Sequence, residues 1–378
     1  MKRVAIIGST GSIGRQTLNV IRRYPDKFKV VSLAGGNNFE LLKEQINEFK
    51  PLVATSSCSE KDFEGFGANA QMHFGENAFT NAIISEADVV VVALVGFKGI
   101  IAVLDCIKKG KDIALANKES LVVGGEMVMR LAKEKGIKIT PIDSEHSAIW
   151  QSLSFDYKKE FRKLILTCSG GAFRDYTKEQ LITAKASDAL KHPNWNMGAK
   201  ITIDCATLVN KGFEVIEARW LYDTDFSKID VIIHKESIIH SMVEYNDASV
   251  IAQMSYPTME IPISLSLSCP ERLDNGVKSL DFSALGKLTF DKPDGDRFPC
   301  LDLIISAGKK GGLYPAVANG ANEQAVKYYL ENRIGYTDIF EGIKGALDAF
   351  NGGNYSTYEE LESANNFGAS FIKNKFGV

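Results

Sequence analysis

An α/β chain is what this sequence predicts: a parallel sheet first, an α+β region next, a helical region last. Three observations carry that expectation. Over the first third, short apolar runs alternate with segments of helical spacing. The middle holds several short strand-like runs around one long helical stretch. From Cys300 onward the chain reads as three or four helices, broken at Gly311-Gly312 and Gly352-Gly353. Apolar strands joined by helices pair in parallel and are covered on both faces, so the N-terminal part is expected to be Rossmann-like.

The elements follow in order. Residues 4–7 form an apolar strand that ends at Gly8, and Ile13, Thr17, Val20, Ile21 and Tyr24 then recur at helical spacing. A second strand at 30–33 leads into Gly35-Gly36-Asn37-Asn38 and a helix over 41–49 that Pro51 closes. Strands at 89–94 and 111–116 flank a helix over 99–109, and a further strand runs from about 136 to Asp143. The middle is expected to hold strands at 164–167, 200–203, 231–234, 242–245 and 250–253, with a helix over 210–222. Pro, Gly, Asp and Asn at intervals from Pro270 to Pro293 suit a surface linker.

Composition narrows the function. The 378 residues are 45% hydrophobic and 24% charged with a net charge of -3, as in an ordinary globular protein. No basic excess supports binding to nucleic acid or to an anionic membrane surface. Cys58, Cys106, Cys168, Cys205, Cys269 and Cys300 are far apart with no C-x-x-C pair, which suits reduced thiols in the cytoplasm. The N-terminus has too short an apolar core for a secretory signal, and 89–95 is too short to span a bilayer.

Gly8-Ser9-Thr10-Gly11-Ser12-Ile13-Gly14 joins the first strand to the first helix. Glycines there allow a tight turn and close backbone approach, and the helix N-terminus can receive a pyrophosphate. This points to a dinucleotide. After the second strand there is no carboxylate to hold a ribose 2′-hydroxyl, so NADP is favoured, although no Arg or Lys stands in that loop.

Pro141-Ile142-Asp143-Ser144-Glu145-His146 lies at the C-terminal end of a strand, where open α/β sheets bind ligands. In an extended segment Asp143 and Glu145 would point the same way and share a hard cation. The bland alternative is a polar turn in which Asp143 or Ser144 caps the next helix. Glu214 has no basic residue four positions on and is a candidate third carboxylate, or a favourable helix-dipole contact. Cys168-Ser169-Gly170-Gly171 and Asn210-Lys211 are candidate phosphate cradles, or ordinary turns. His192-Pro193-Asn194-Trp195 suits a lid that lays an indole over a substrate. His234 and His240 lack metal-pair spacing and read as structural.

Taken in order, residues 8–14, Ala116-Asn117-Lys118-Glu119-Ser120, Asp143-Ser144-Glu145-His146, His192-Pro193-Asn194-Trp195 and Asn210-Lys211-Gly212-Phe213-Glu214 resemble the 1-deoxy-D-xylulose 5-phosphate reductoisomerase family. The resemblance runs from residue 1 into the C-terminal helices. It implies an enzyme of the non-mevalonate isoprenoid pathway that isomerises 1-deoxy-D-xylulose 5-phosphate. The intermediate is then reduced with NADPH to 2-C-methyl-D-erythritol 4-phosphate. It implies Mg²⁺, Mn²⁺ or Co²⁺, and a homodimer. By motif, Asp143, Glu145 and Glu214 would hold the metal. Lys118, Ser144, Glu145, Ser169, His192, Trp195, Cys205, Asn210, Lys211 and Glu214 would meet the substrate, with Lys118, Glu145 and His192 at the chemistry. Thr10, Gly11, Ser12, Ile13, Gly36, Asn37, Asn38, Asn117, Glu119 and Gly198 would line the cofactor site. The implied domains are a cofactor-binding domain over 1–142 and an α+β catalytic domain over 143–268, with a lid near 169–199. A linker over 269–294 and a helical bundle over 295–378 would follow.

Two positions depart from the family pattern. Cys205 stands where members commonly carry Ser, and Asn37 where a basic residue is common. Two rival readings remain open from the residues alone: a metal-independent NADP reductase of the semialdehyde dehydrogenase kind, and a non-catalytic NADP sensor.

Overall fold

The computed structural model describes residues 1–67, 69–195 and 197–377 and divides into two units. The first comprises Met1–Ser120, Val128–Ser147 and Thr258–Lys278; the second comprises Leu121–Met127, Ala148–Pro257 and Ser279–Val378.

Strand and helix alternate through the first part of the chain: β1 (Lys2–Ile7), α1 (Ser12–Arg23), β2 (Phe28–Gly35), α2 (Phe39–Phe49), β3 (Val53–Ser56), β4 (Gln71–Phe74) and β5 (Val89–Val92). Next come α3 (Gly99–Lys108), β6 (Asp112–Leu115), α4 (Glu119–Lys135), β7 (Ile139–Pro141) and α5 (Ser144–Ser152). The seven strands form one parallel sheet in the order β4-β3-β2-β1-β5-β6-β7. Strand order reverses at β1, between β2 and β5, which opens a crevice at the strands' C-terminal ends. Val4, Ile6, Leu33, Val91 and Ala114 of the sheet pack with Leu18 of α1 and Leu42 of α2 as the core. Local signals set the helix ends. Asn38 caps α2 by accepting from the Leu41 N–H at 3.1 Å, and Lys50 ends it in a left-handed conformation just before Pro51.

In the second unit, β8 (Lys163–Cys168) is followed by the short helices α6 (Lys178–Ile182) and α7 (Ala186–Ala189), then α8 (Ala199–Thr207) and α9 (Val209–Leu221). Strands β9 (Ile229–Ile233), β10 (Ile239–Glu244) and β11 (Val250–Met254) complete a mixed sheet in the order β11-β10-β8-β9. Helix α10 (Glu260–Ser268) returns to the first unit, where Arg23 pairs with Glu260 at 2.6 Å and Lys27 with Glu271 at 2.7 Å. Beyond α11 (Phe282–Leu285), four helices close the chain: α12 (Cys300–Lys310), α13 (Tyr314–Leu330), α14 (Tyr336–Ala349) and α15 (Tyr358–Lys375). No helix among the described residues is long and apolar enough to cross a membrane.

Two sequence expectations are corrected. The run Lys200-Ile201-Thr202-Ile203, expected as a strand, belongs to α8. Its β-branched residues mimic strand composition, but Thr202, Ile203 and Ala206 bury one helical face, and tertiary packing overrides propensity. The strand expected to reach Asp143 stops at Pro141, and Ser144 already starts α5. Asp143 and Glu145 therefore do not align as alternate residues of a strand; both sit at a helix start.

Candidate active site

The turn between β1 and α1 is held against the second strand. The Gly8 and Ser9 N–H groups both donate to the Ala34 carbonyl, at 2.9 and 2.8 Å. Gly8 has φ +92°, and a side chain there would collide with the Ala93 carbonyl, so only glycine serves. The Gly36 N–H donates to Thr10 Oγ1 at 3.5 Å, which brings together the loops after β1 and β2. Ser57 Oγ lies 3.4 Å from Asn37 Oδ1, and Asn38 is engaged as the cap of α2. Asn117 is buried, and its amide donates to the Leu94 and Gly96 carbonyls at 3.0 Å each and to Glu119 at 2.9 Å. Its role in the fold is to pin the loop after β5. Gly11 precedes Ser12 and Ile13 as the N-cap of α1, while Gly198 belongs to the second unit as the N-cap of α8.

The carboxylates at the start of α5 are tightly held. Asp143 Oδ2 accepts from Lys118 Nζ at 2.9 Å, and its Oδ1 accepts from the Glu145 N–H at 3.2 Å. His146 Nδ1 lies 3.2 Å from the same Oδ1, and the Ser144 hydroxyl donates to Glu145. Asp143 thus does cap the helix, and Lys118 and His146 bear on it as well.

Every residue of α9 from Val209 to Ala218 is buried, including Asn210, Lys211, Glu214 and Glu217. A helix that buries two carboxylates and an ammonium is not a simple structural element, because charges are sequestered only when paired. Glu214 Oε1 accepts from Asn210 Nδ2 at 2.6 Å, and its Oε2 pairs with Lys211. Glu214 has no basic residue four positions on; its partner, Lys211, lies three residues back.

Of the phosphate-cradle candidates, the turn that carries Ser169 lies against α8 and His192. Gly171, at φ +70°, lies so close to α8 that a side chain there would strike the Cys205 carbonyl. Ser169 Oγ lies 2.9 Å from His192 Nε2 and accepts from the Gly171 N–H at 3.1 Å. The Asn194 and Trp195 N–H groups donate to His192 Nδ1 at 3.2 and 3.0 Å, so the proton of a neutral ring sits on Nε2 and points to Ser169. Burial, with Arg174 nearby, lowers the His192 pKa to about 4 and keeps it neutral. Ser169 Oγ accepts in both contacts, so its own hydrogen is donated to neither. Trp195 packs edge-on to His240, with ring centroids 6.1 Å apart.

Three models of one family match in succession: 1-deoxy-D-xylulose 5-phosphate reductoisomerase over residues 4–125, its C-terminal domain over 139–222, and the DXP reductoisomerase C-terminal domain over 254–368. The 1-deoxy-D-xylulose 5-phosphate reductoisomerase of Caldanaerobacter subterraneus is 52% identical over 92% of each chain. That of Geobacter sp. strain M21 is 47% identical over 100% of both. The chain belongs to the 1-deoxy-D-xylulose 5-phosphate reductoisomerase family. A reductoisomerase structure from Zymomonas mobilis in complex with NADPH superposes with a TM-score of 0.93 at 36% identity, covering 100% of this chain and 99% of that one. A DOX-P reductoisomerase in complex with NADPH, fosmidomycin and magnesium gives 0.94 at 37%, covering 100% and 98%.

Within this reductoisomerase fold, three positioning groups went unassigned in the sequence. His146, which the sequence offers only as part of a motif, is buried against Asp143. Asn194 donates to the Lys235 carbonyl and to Ser237 Oγ, each at 2.7 Å, and anchors the segment bearing His192. Arg174 donates to the Ser169 and Lys235 carbonyls, at 3.3 and 3.0 Å. The spacing of Arg174 carries no motif that would have marked it.

Proposed function

We propose that this chain is a 1-deoxy-D-xylulose 5-phosphate reductoisomerase. It isomerises 1-deoxy-D-xylulose 5-phosphate and reduces the aldehyde so formed, with NADPH, to 2-C-methyl-D-erythritol 4-phosphate in isoprenoid biosynthesis. One observation carries this: family matches follow in order through 4–125, 139–222 and 254–368, with relatives aligned end to end.

The residues present fit both implied groups. Helix α1 has no acidic residue in its first turn and no side-chain cap, so its N–H groups suit a pyrophosphate. Thr10, Gly11, Ser12 and Ile13 would hold that end of NADPH, and Gly36, Asn37 and Asn38 the ribose end. Asn117, Glu119 and Gly198 would serve the remainder. Asp143, Glu145 and Glu214 offer oxygen donors alone, the set that Mg²⁺ or Mn²⁺ takes. When bound, the metal polarises the substrate ketone and NADPH supplies the hydride.

The other side chains have separable tasks. Lys118 puts positive charge beside the reacting carbons, where oxyanion character develops. Ser144 and Glu145 orient the substrate hydroxyls. Ser169, Asn210, Lys211 and Cys205 grip the phosphate, and His192 holds Ser169 with its hydroxyl turned to it. Trp195 closes over the substrate and excludes water. A thioester-type reductase would need a reactive thiol instead. Burial pushes the Cys300 thiol up to about 12 and raises those of Cys106 and Cys269.

The enzyme works in the cytoplasm as a homodimer. Six widely spaced cysteines with no C-x-x-C pair support the compartment. The edge strand β11, with Val250 and Ile251 exposed, supports self-association. The test is NADPH consumption by chelator-treated protein with 1-deoxy-D-xylulose 5-phosphate, before and after Mn²⁺ is returned. Consumption that needs both sugar and metal is expected. Turnover that survives chelation, or cofactor binding without turnover, overturns the proposal.

A further inference from the structure

Two polar contacts tie the C-terminal helices to α8, and the reaction chemistry uses neither of them. Asp204 of α8 is 2% exposed, and both of its oxygens are held. Oδ1 accepts from Asn322 Nδ2 of α13 at 2.8 Å, and Oδ2 pairs with Lys200 at 2.9 Å. Tyr336 of α14 donates to the Ala206 carbonyl at 2.8 Å. That carbonyl lies in the last turn of α8, where helical partners run out.

The helix stops two residues later. Leu208 takes a left-handed conformation, φ 61°, and α9 begins at once with Asn210, Lys211 and Glu214. The donors of α13 and α14 come from a firm frame. A side chain on Gly320 would run into the Asn365 carbonyl of α15, and Asn319 donates to Asn365 Oδ1 at 2.9 Å. Apolar residues would pin α8 at less desolvation cost than a buried carboxylate. Two directional donors from outside the helix, Asn322 to the Asp204 carboxylate and Tyr336 to the Ala206 carbonyl, instead fix its rotation, while Lys200 neutralises the carboxylate from within α8.

We propose that Asp204, Asn322 and Tyr336 are positioning residues for the substrate phosphate: they lock the corner between α8 and α9 and so keep Cys205, Asn210 and Lys211 in binding register. This rests on the assignment of those three residues to the phosphate. Small displacements of binding groups cost one to two orders of magnitude in such sites.

The test measures KM for 1-deoxy-D-xylulose 5-phosphate, Kd for fosmidomycin, Kd for NADPH and Tm in Asn322→Ala, Tyr336→Phe and the exchange Asp204→Asn/Asn322→Asp. Substrate KM and fosmidomycin Kd rise roughly tenfold in Asn322→Ala and about threefold in Tyr336→Phe, while NADPH Kd stays within about twofold. The exchange, which rebuilds the hydrogen bond in reverse, recovers most of the loss. Lower Tm with unchanged KM and Kd overturns the proposal. If Asn322→Ala does not fold, Tyr336→Phe decides alone, since it removes one oxygen and opens no cavity. Lys211→Met is run alongside. Weakened substrate binding there with normal binding in the other variants refutes the positioning role only; normal binding in all of them refutes the phosphate assignment itself.

Discussion

Lys118 Nζ lies 2.9 Å from Asp143 Oδ2, with side chains only 9% and 12% exposed. Lys118 is also the N-cap of α4, where a cation faces the positive end of the helix dipole. Helix preference alone would not put a lysine there; the Asp143 carboxylate offsets the unfavourable position. Lys118→Gln is expected to lower kcat/KM by about 100-fold or more, the scale of losing one oxyanion-stabilising donor. NADPH affinity should hold, and Tm should fall because Asp143 loses its cation. A kcat/KM close to that of the parent protein would remove Lys118 from the mechanism.

Glu214 is engaged on both oxygens, by Asn210 and by Lys211. Glutamine matches its volume and keeps one acceptor, so Glu214→Gln isolates the charge. Mn²⁺ binding should weaken by roughly 10–100-fold and turnover fall by about 100-fold, with cofactor binding retained. Titration of Mn²⁺ into the variant is the check, and parent-like affinity would take Glu214 out of the metal set.

His192 gives a pH signature. Its pKa in the folded chain is about 4, against an ordinary 6.5. Between those values the unfolded chain binds a proton that the folded chain does not, so stability declines as pH falls through the window and is flat above it. Urea midpoints measured from pH 7 to 4 should show this decline, and His192→Gln should flatten it. Parallel curves for the two proteins would mean that His192 is not held neutral.

The readable parts of this chain were those governed by local rules. Alternating strands and helices, the glycine turn at 8–14 and the stop at Pro51 follow from periodicity and backbone sterics, and they fell where expected. Strands β3 and β4 did not show, because four residues such as Gln71-Met72-His73-Phe74 are too short and mixed to carry a period. Residues 200–203 depart from expectation for the opposite reason: their composition favours a strand, but packing makes them part of a helix. Within the candidate site, ligand types were legible while the residues that hold them were not. Asn322 contacts Asp204 across 118 positions, and nothing local announces such a pair.

Asn37 is exposed and stands beside Ser57, with no basic side chain in its own loop. A 2′-phosphate is best held by a planar guanidinium. Asn37→Arg should therefore sharpen the preference for NADPH over NADH, by roughly tenfold for a charge-assisted contact. An unchanged ratio of kcat/KM for the two cofactors would show that the 2′-phosphate is read elsewhere.

Cys205 is half-buried on α8, with its carbonyl against Gly171 in the turn that carries Ser169. A thiol donates weakly, whereas a hydroxyl in that place donates well to an anionic oxygen. A hydrogen bond to a charged group contributes about 1.5–3 kcal/mol, and the phosphate is present in ground and transition states alike. Cys205→Ser should therefore lower KM for 1-deoxy-D-xylulose 5-phosphate by roughly tenfold and tighten fosmidomycin similarly, with kcat nearly unchanged. Uniform binding moves KM alone; a change confined to kcat would mean that position 205 acts on the reacting carbons and not on the phosphate. If neither constant moves, the phosphate is held by Ser169, Asn210 and Lys211 without help from α8.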